Sequence, residues 1–336
     1  MAAPSKSLLG TFLENGRAYG SFQRYVVQSC CELRILTGNA SGQYLLPCDI
    51  TERDRLDIMH TLFKTAREKS HRLLHAPFDE DMAIHRSGQK PRILDLGCGT
   101  GIWLIEMSEK FQNTELLGVD LHAMGPASLP DNVEMRPAFD YETPWALGEA
   151  TWDIVHLQMA LGSVSSWPHL YSKILTHLKP GTGWFESVEI DWEPRCDDGT
   201  LRPGRLTEWW FPYVSRAYDG ACRPLRYNPN MGEDLEAAGF KDVQHRQYRI
   251  PLNGWSTDRV EHRSGMWWNI AMSSGQGDGG HGMDALSLAP LTRFNNWSES
   301  DARRLVSEAL EQAVNPNVHA YNVLHVWWAR APFPGE

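Results

Sequence analysis

The chain has 336 residues, 42% hydrophobic and 22% charged, a composition that suits one large globular domain or one domain with an appended lobe. Its formal net charge of −10, without a long run of Lys or Arg, argues against direct binding to nucleic acid. No apolar stretch approaches the roughly 18 residues of a membrane span. The six scattered cysteines indicate reduced intracellular thiols and predict no metal site.

The N-terminal part of the chain, residues 1–90, is predicted to be an extension that contains one helix. Residues 1–48 look irregular. A capping box that begins at Asp49 is followed by apolar residues at helical spacing, which predicts a helix over residues 50–75. Residues 76–90 are polar and contain proline and glycine, so we expect a loop that leads into the first strand of the core.

From residue 91 onwards, short apolar strands alternate with helices, which predicts a parallel sheet covered by helices on both faces. This α/β pattern is Rossmann-like, and we expect the domain to extend over residues 91–332. The first five strands are predicted over residues 92–96, 115–120, 132–137, 152–158 and 183–191. Helices are predicted over residues 100–110 and 166–178.

The pattern changes after about residue 194. A turn-rich and aromatic segment over residues 194–230 predicts a helical insertion or lid. The glycine-rich stretch over residues 273–283 predicts a flexible loop. The other predicted elements are a short helix over residues 234–240, a strand over 243–250, a helix over 300–313 and a last strand over 319–329.

The most informative stretch is Arg-Ile-Leu-Asp-Leu-Gly-Cys-Gly-Thr-Gly at residues 92–101, an apolar strand that runs into a glycine turn. The glycines alternate strictly, at Gly97, Gly99 and Gly101. This spacing differs from the Gly-x-Gly-x-x-Gly of dinucleotide sites. Together with Asp95 before the turn and Asp120 at the end of the next strand, it favours S-adenosylmethionine over NAD, with S-adenosylhomocysteine as the product. The alternative is a turn whose glycines only satisfy a tight bend.

Each predicted cofactor contact has a role that its position suggests. The three glycines pass under the cofactor, Asp95 orients its amino-acid end and Asp120 binds its ribose. Asp140, after the third strand, lies where enzymes that bind S-adenosylmethionine contact the adenine amine. A solvated loop acid is the alternative. Gln158 and Met159 close the fourth strand beside the expected methionine end. For Met159, an ordinary core contact is the simpler interpretation.

Two N-terminal residues are candidates for a lid. Tyr44 and Asp49 precede the core and are placed to close over the cofactor. For Asp49, capping of the following helix is an equally good explanation.

The fifth strand supplies the candidate catalytic residues. Alternation along a strand puts Ser187, Glu189 and Asp191 on one face. Glu189 and Asp191 then emerge at the carboxyl edge of the sheet, where ligands bind in open α/β folds, and can hold a cationic acceptor or act as a base. A capped strand end explains them equally well. His156 and His325 lie within strands and are interpreted as core histidines.

Several blocks of sequence, beyond the glycine turn, resemble the fungal LaeA-like methyltransferase family. The resemblance covers most of residues 42–332. Its blocks lie at residues 44–49, 54–60, 95–103, 162–168, 183–191, 194–199, 285–293 and 319–329. It implies a class I S-adenosylmethionine-dependent methyltransferase fold with a mostly parallel seven-stranded sheet.

The resemblance also implies a biological setting. It implies a nuclear protein, present also in the cytoplasm, that acts with velvet-family partners on secondary-metabolite gene clusters and sporulation. Residues 26–41 depart from the family as an extra segment, either an insertion or a retained intron. Gly265-Met-Trp-Trp268 departs from the Gly-Arg-Trp that is more usual there, which removes any role for an arginine at that position.

Three functions stay open on these grounds. The first is a regulatory methyltransferase whose acceptor is another protein or the enzyme itself. The second is a biosynthetic methyltransferase of a small fungal metabolite. The third is a binding module that keeps the cofactor fold without turnover. The family blocks favour the first.

Overall fold

The computed structural model describes residues 10–20, 44–70, 72–273 and 282–336. Its strands are β1 (Thr11–Glu14), β2 (Arg17–Gly20), β3 (Arg92–Leu96), β4 (Glu115–Val119), β5 (Val133–Arg136), β6 (Ile154–Gln158), β7 (Trp184–Arg195), β8 (Lys241–Pro251) and β9 (Tyr321–Arg330). Its α-helices are α1 (Ile50–Ala66), α2 (Glu80–Ser87), α3 (Ile102–Lys110), α4 (Trp167–His177), α5 (Phe211–Gly220), α6 (Met231–Ala238), α7 (Arg259–Ser273), α8 (Gly282–Phe294) and α9 (Glu299–Val314).

A seven-stranded sheet carries the fold, in the order β5-β4-β3-β6-β7-β9-β8. The first five strands of this order pair in parallel, and β9 runs antiparallel to both β7 and β8. The predicted Rossmann-like, mostly parallel seven-stranded sheet of the class I methyltransferase fold is confirmed. The carboxyl ends of β3, β4 and β6 therefore meet at one edge, as open α/β sheets require of a ligand site.

The prediction that residues 1–48 are irregular is wrong for residues 11–20, whereas the described residues 44–48 are irregular as predicted. β1 and β2 form an antiparallel hairpin. Asn15 and Gly16 form its turn with φ of 50° and 70°, the left-handed pair that a tight two-residue hairpin demands. The Asn-Gly dipeptide is the sequence signal for this hairpin. The extra segment at residues 26–41 lies outside the described residues.

The helix predicted over residues 50–75 is shorter than expected. α1 ends at Ala66 and is followed by a 3₁₀ turn over Glu68–Ser70. The loop predicted over residues 76–90 contains α2, so that prediction is wrong. Asp79 caps α2 by accepting the Met82 N–H at 2.9 Å, and Gly88 ends it in the left-handed conformation.

The predicted insertion over residues 194–230 contains a π-helical segment over Arg205–Trp210 that continues into α5. α7 and α8 carry the ends of the loop predicted over residues 273–283, because Ser273 closes α7 and Gly282 opens α8. Residues 274–281 of that loop lie outside the described part. Along the described residues, no helix combines the length and the apolar character that crossing a membrane requires.

Candidate active site

The turn after β3 forms a backbone cradle. Gly97, Gly99 and Gly101 all have positive φ, of 69°, 56° and 77°, a region that residues with a Cβ rarely adopt. A Cβ added to Gly101 would also lie 2.6 Å from the sulfur of Met135. The sequence places glycine here because both the conformation and the space forbid a side chain. The alternative interpretation, a tight turn without a ligand, requires the same glycine conformations. The backbone conformation is therefore compatible with both a tight turn and a ligand site.

Asp120, directly after β4, is tied to this turn. Its carboxylate accepts the N–H of Gly99 and the N–H of His122, each at 2.9 Å. Burial raises the pKa of Asp120 to about 6. A carboxylate has about four lone-pair sites, so these backbone bonds leave it capacity to accept a hydroxyl group.

A cavity lies beside Asp120. Its volume is about 180 Å³, and Asp120, His122 and Met135 belong to its lining. Typical small-molecule pockets measure about 300–1,000 Å³, so this cavity has room for part of a nucleoside cofactor. The predicted ribose acid therefore borders free space.

Asp95 faces the neighbouring strand. It is 3% exposed, and its Oδ1 lies 2.8 Å from Nδ1 of His156, its register partner on β6. The ring of His156 stacks on Trp103 with centroids 3.8 Å apart. The interpretation of His156 as a core histidine is confirmed, but the sequence did not reveal its partner. The register of β3 against β6 was the missing information.

The loop after β5 approaches the cradle. Asp140 is 4% exposed and its Oδ1 accepts the Glu142 N–H at 2.9 Å, so the solvated-acid alternative is wrong. Phe139 N donates to the Asp120 carbonyl at 3.0 Å, which holds the loop against the end of β4. Tyr141, which the sequence analysis did not single out, lies 3.5 Å from the position of a Gly97 Cβ.

β6 ends on the other side of the cradle. Gln158 has a buried side-chain oxygen, Oε1, that finds no hydrogen-bond partner in the described part of the chain. A buried amide oxygen without a donor is an expected site for a ligand N–H, such as an ammonium group. Met159 follows with φ of 58°. Its side chain packs against the apolar core that includes Val188 and Ile190 of β7. The core-contact interpretation of Met159 is confirmed.

α1 and the N-terminal hairpin cover the cradle. A Cβ on Gly99 would lie 3.4 Å from Leu56, and Thr100 donates to Asp57 at 2.5 Å. Tyr44 is half-buried with its ring 6.0 Å from that of His122. Asp120 contributes to raising the pKa of Tyr44 after the larger effect of burial. Tyr44 therefore lies where the lid prediction expects it.

Asp49 has a structural role in this cover. Its side chain accepts the Glu52 N–H at 2.9 Å, which caps α1. It also accepts Nε and Nη2 of Arg17 at 2.7 and 2.8 Å, which fastens the hairpin to the helix. The capping interpretation of Asp49 is confirmed.

Glu189 and Asp191 are the predicted catalytic pair, and both are buried with protein partners. Glu189 accepts the N–H groups of Ala160 and Leu161 at 3.0 and 3.1 Å. Burial raises its pKa to about 8. Asp191 binds Arg195 at 2.5 Å. Their geometry is that of loop and strand anchors, and a catalytic role stays a prediction.

Taken together, the residues fit a nucleoside sulfonium. The positive-φ cradle admits a close approach, Asp120 has acceptor capacity beside a cavity, and the Gln158 amide oxygen is unpaired within the described chain. These are the three groups that the sequence analysis assigned to the turn, the ribose and the methionine end. They lie together because β3, β4 and β6 end at one edge of the sheet.

Comparison with known proteins agrees with this site. A family model described as a methyltransferase domain matches residues 58–245. The chain is 42% identical to the secondary metabolism regulator LAE1 of Cochliobolus heterostrophus, over 96% of this chain and 95% of that protein. It is 41% identical to the protein-methionine methyltransferase laeA of Emericella nidulans, over 95% of this chain and 76% of that protein.

A solved structure of phosphoethanolamine N-methyltransferase 2 from Haemonchus contortus, in complex with S-adenosyl-L-methionine, has 18% identity and a TM-score of 0.43. The similarity covers 84% of this chain and 60% of that chain.

Proposed function

This chain belongs to the LaeA family of methyltransferases, and from that premise we propose that it methylates a protein acceptor and thereby regulates secondary metabolism. The methyl donor of the family fold is S-adenosylmethionine, which supplies an activated methyl group when bound. The observation that carries the donor assignment is the glycine cradle with Asp120 beside it. The support for a protein acceptor is the similarity to the protein-methionine methyltransferase laeA of Emericella nidulans.

The residues of the cradle have defined tasks in this proposal. The turn at Gly97, Gly99 and Gly101 lets the backbone approach the nucleoside, and Asp120 accepts the ribose hydroxyls. Oε1 of Gln158, which has no hydrogen-bond partner among the described residues, accepts an N–H of the ammonium group of the methyl donor. Helix α1 excludes water from the glycine cradle, since Leu56 lies against Gly99. Alignment and water exclusion are the main demands of an in-line methyl transfer.

A methionine acceptor suits the acid–base chemistry of this site. One relative is named a protein-methionine methyltransferase. A thioether sulfur carries no proton, so its methylation needs no general base. The two predicted catalytic acids already have partners: Glu189 accepts backbone N–H groups of the loop after β6, and Asp191 pairs with Arg195. We therefore propose a thioether acceptor in a protein, with both acids in structural roles.

The biological setting belongs to the same proposal. We expect the protein to act in the nucleus, in a complex with velvet-family regulators, and to affect sporulation as well as metabolite clusters. The support is the resemblance of the family blocks to LaeA. A net charge of −10 is consistent with action through protein partners in place of direct contact with DNA.

The test combines affinity capture with methyl transfer. The full chain is incubated with velvet-family proteins and with donor labelled on the transferred methyl group, and label is followed into proteins and into an extract of small molecules. Label on a protein, lost in the Gly99→Asp variant and released as a methylated methionine after digestion, supports the proposal. Label only in an extracted metabolite would support a biosynthetic enzyme, and donor binding without any transfer would support a binding module.

A further inference from the structure

A group of buried hydrogen-bond donors, without partners among the described residues, lies on β2 and α1 of the N-terminal cover and on α5. Arg17, Tyr19, Arg55 and Tyr218 are each at most 1% exposed. Nη1 of both arginines and the hydroxyls of both tyrosines have no hydrogen-bond partner among the described residues. Buried polar groups are almost always satisfied, so four unsatisfied donors in one region require an explanation.

The two arginines are linked to each other by ion pairs. Arg17 binds Asp49 through Nε and Nη2 at 2.7 and 2.8 Å. Arg55 binds Glu52 in the same two-pronged way, at 2.8 and 2.6 Å. The two pairs are linked because Nη2 of Arg17 lies 3.9 Å from Glu52. Each guanidinium therefore has its charge balanced by one carboxylate and still presents a free Nη1.

The tyrosines belong to the same region. The charge of Arg55 lowers the pKa of Tyr218 against the larger effect of burial, and Tyr19 and Glu52 also act on Tyr218. Tyr19 lies under the guanidinium of Arg293, 4.8 Å from its ring centre. The donors of this region thus belong to three elements, β2, α1 and α5.

This region adjoins the candidate active site. Tyr218 lies against the loop after β6, since a Cβ on Gly162 would be 2.6 Å from its ring. Leu56, the neighbour of Arg55 on α1, contacts the glycine cradle. Tyr44 connects the two regions, because both Asp120 and Tyr218 act on its pKa.

We propose that Arg17, Tyr19, Arg55 and Tyr218 form a carboxylate-binding subsite beside the methyl donor. All four free groups are donors, and a carboxylate offers about four acceptor positions. Charge-assisted bonds from guanidinium to carboxylate are among the strongest hydrogen bonds in proteins. The inference rests on the proposed function, because both candidate carboxylates belong to the substrates of a methyl transfer. One is the carboxylate of the donor's amino-acid end, and the other is a carboxylate of the acceptor.

The test uses acetate as the probe, because it carries the carboxylate alone. The double variant Tyr19→Phe, Tyr218→Phe removes only two hydroxyls that have no partner in the described fold, so folding is retained. Tyr171→Phe, in a buried tyrosine of α4, is the matched control. Binding of ¹³C-labelled acetate to the full chain is measured by NMR. We expect the double variant to bind acetate roughly tenfold more weakly, and the control to bind it like the wild type.

Competition then identifies the source of the carboxylate. S-adenosylhomocysteine carries the amino-acid carboxylate, and 5′-methylthioadenosine has the same nucleoside without it. Displacement of acetate by the first and not by the second assigns the subsite to the donor. Acetate binding beside S-adenosylhomocysteine assigns it to an acceptor.

The two ways of failing are distinguishable. Equal acetate binding by wild type and double variant, or no acetate binding to the wild type, would overturn the subsite even where S-adenosylhomocysteine binds. Absence of S-adenosylhomocysteine binding to the wild type would instead count against the proposed function. Acetate binding that the two phenylalanines weaken would still support the subsite in that case.

Discussion

At the scale of single residues, the glycine cradle is defined by backbone conformation and by the charge next to it. Gly99 has φ of 56° and donates its N–H to Asp120 at 2.9 Å. Aspartate tolerates the left-handed region better than most residues, so strain alone is a small effect. A carboxylate placed here would instead lie beside that of Asp120 and occupy the space that the donor requires.

We expect Gly99→Asp to abolish binding of S-adenosylhomocysteine in a calorimetric titration. The matched control is Gly199→Asp, because Gly199 has a similar φ of 75° and no atom within 4 Å of its Cβ position. That variant should bind like the wild type. Unchanged affinity in Gly99→Asp would remove the assignment of the cradle to the donor.

Asp120 gives the site a pH dependence. Burial raises its pKa to about 6, so the carboxylate is ionised above that pH and protonated below it. The ionised form accepts ribose hydroxyls, and protonation weakens it as an acceptor. Affinity for S-adenosylhomocysteine should therefore be constant above about pH 7 and fall as the pH falls through about 6.

The comparison variant is Asp120→Asn, which does not titrate. We expect it to bind roughly tenfold more weakly at neutral pH, with an affinity that is flat between pH 5 and 7.5. The same pH profile in wild type and variant would assign the titration to another group.

At the scale of elements, the cover over the cradle depends on the ion pairs that Arg17 of β2 makes at the start of α1, and the shorter of them is with Asp49. Asp49 caps α1 and binds Arg17, whose side chain is 1% exposed. Asparagine caps helices about as well as aspartate, so Asp49→Asn keeps the cap and removes the charge that Arg17 needs. Glu52, 3.9 Å from Nη2 of Arg17, is then the remaining carboxylate, and a buried charge that loses its hydrogen-bonded partner destabilises the fold strongly.

We expect Asp49→Asn to lower the free energy of unfolding in urea by about 3 kcal/mol. Asp79→Asn is the control, because Asp79 caps α2 through Met82 and pairs with no arginine among the residues that the structure describes. Its loss should stay below about 0.5 kcal/mol. Equal losses in the two variants would show that the Arg17 pair does not hold the hairpin.

β7 holds the loop after β6 through Glu189. In the folded chain burial raises the pKa of Glu189 from 4.5 to about 8, so the native state keeps a proton that the unfolded chain releases in that range. The stability contributed by this proton is fully present below about pH 4.5 and is lost as the pH rises towards about 8. Glutamine cannot ionise and lacks this dependence.

We therefore expect Glu189→Gln to be less stable than the wild type by about 1 kcal/mol at pH 5.5, since one loop amide loses its acceptor. The difference should vanish as the pH rises and reverse in sign by pH 8, as measured by urea unfolding at both values. Methyl transfer should persist in the variant. Its complete loss with an intact fold would restore the catalytic interpretation of Glu189.

At the scale of the whole molecule, the donor site is built from both the sheet and its N-terminal cover, so ligand binding should stabilise the entire fold. At a concentration of S-adenosylhomocysteine about a hundred times its Kd, binding adds about 2.7 kcal/mol. We expect Tm to rise by about 5 °C in a thermal scan of the full chain. Gly99→Asp should show no rise, and a rise in that variant would place the ligand elsewhere.

The sequence alone determined the features that depend on near neighbours in the chain. β3 is predicted with its observed bounds, and the glycine turn and Asp120 follow from one strand–turn–helix–strand unit. Alternating strands and helices permit few topologies, which is why the parallel sheet was also predictable. The hairpin turn at Asn15 and Gly16 carried an equally local signal.

Only the tertiary structure decided which distant groups meet. His156 is 61 positions from Asp95, and the ion pair between Arg17 and Asp49 spans 32. Strand register and the packing of α1 over the sheet bring such groups together, and neither is encoded by a local pattern. The same reason explains Glu189: its position on the strand fitted a catalytic acid and a capped strand end equally well, and the fold pairs it with two backbone amides. A side chain's role depends on what its neighbours in space leave unsatisfied.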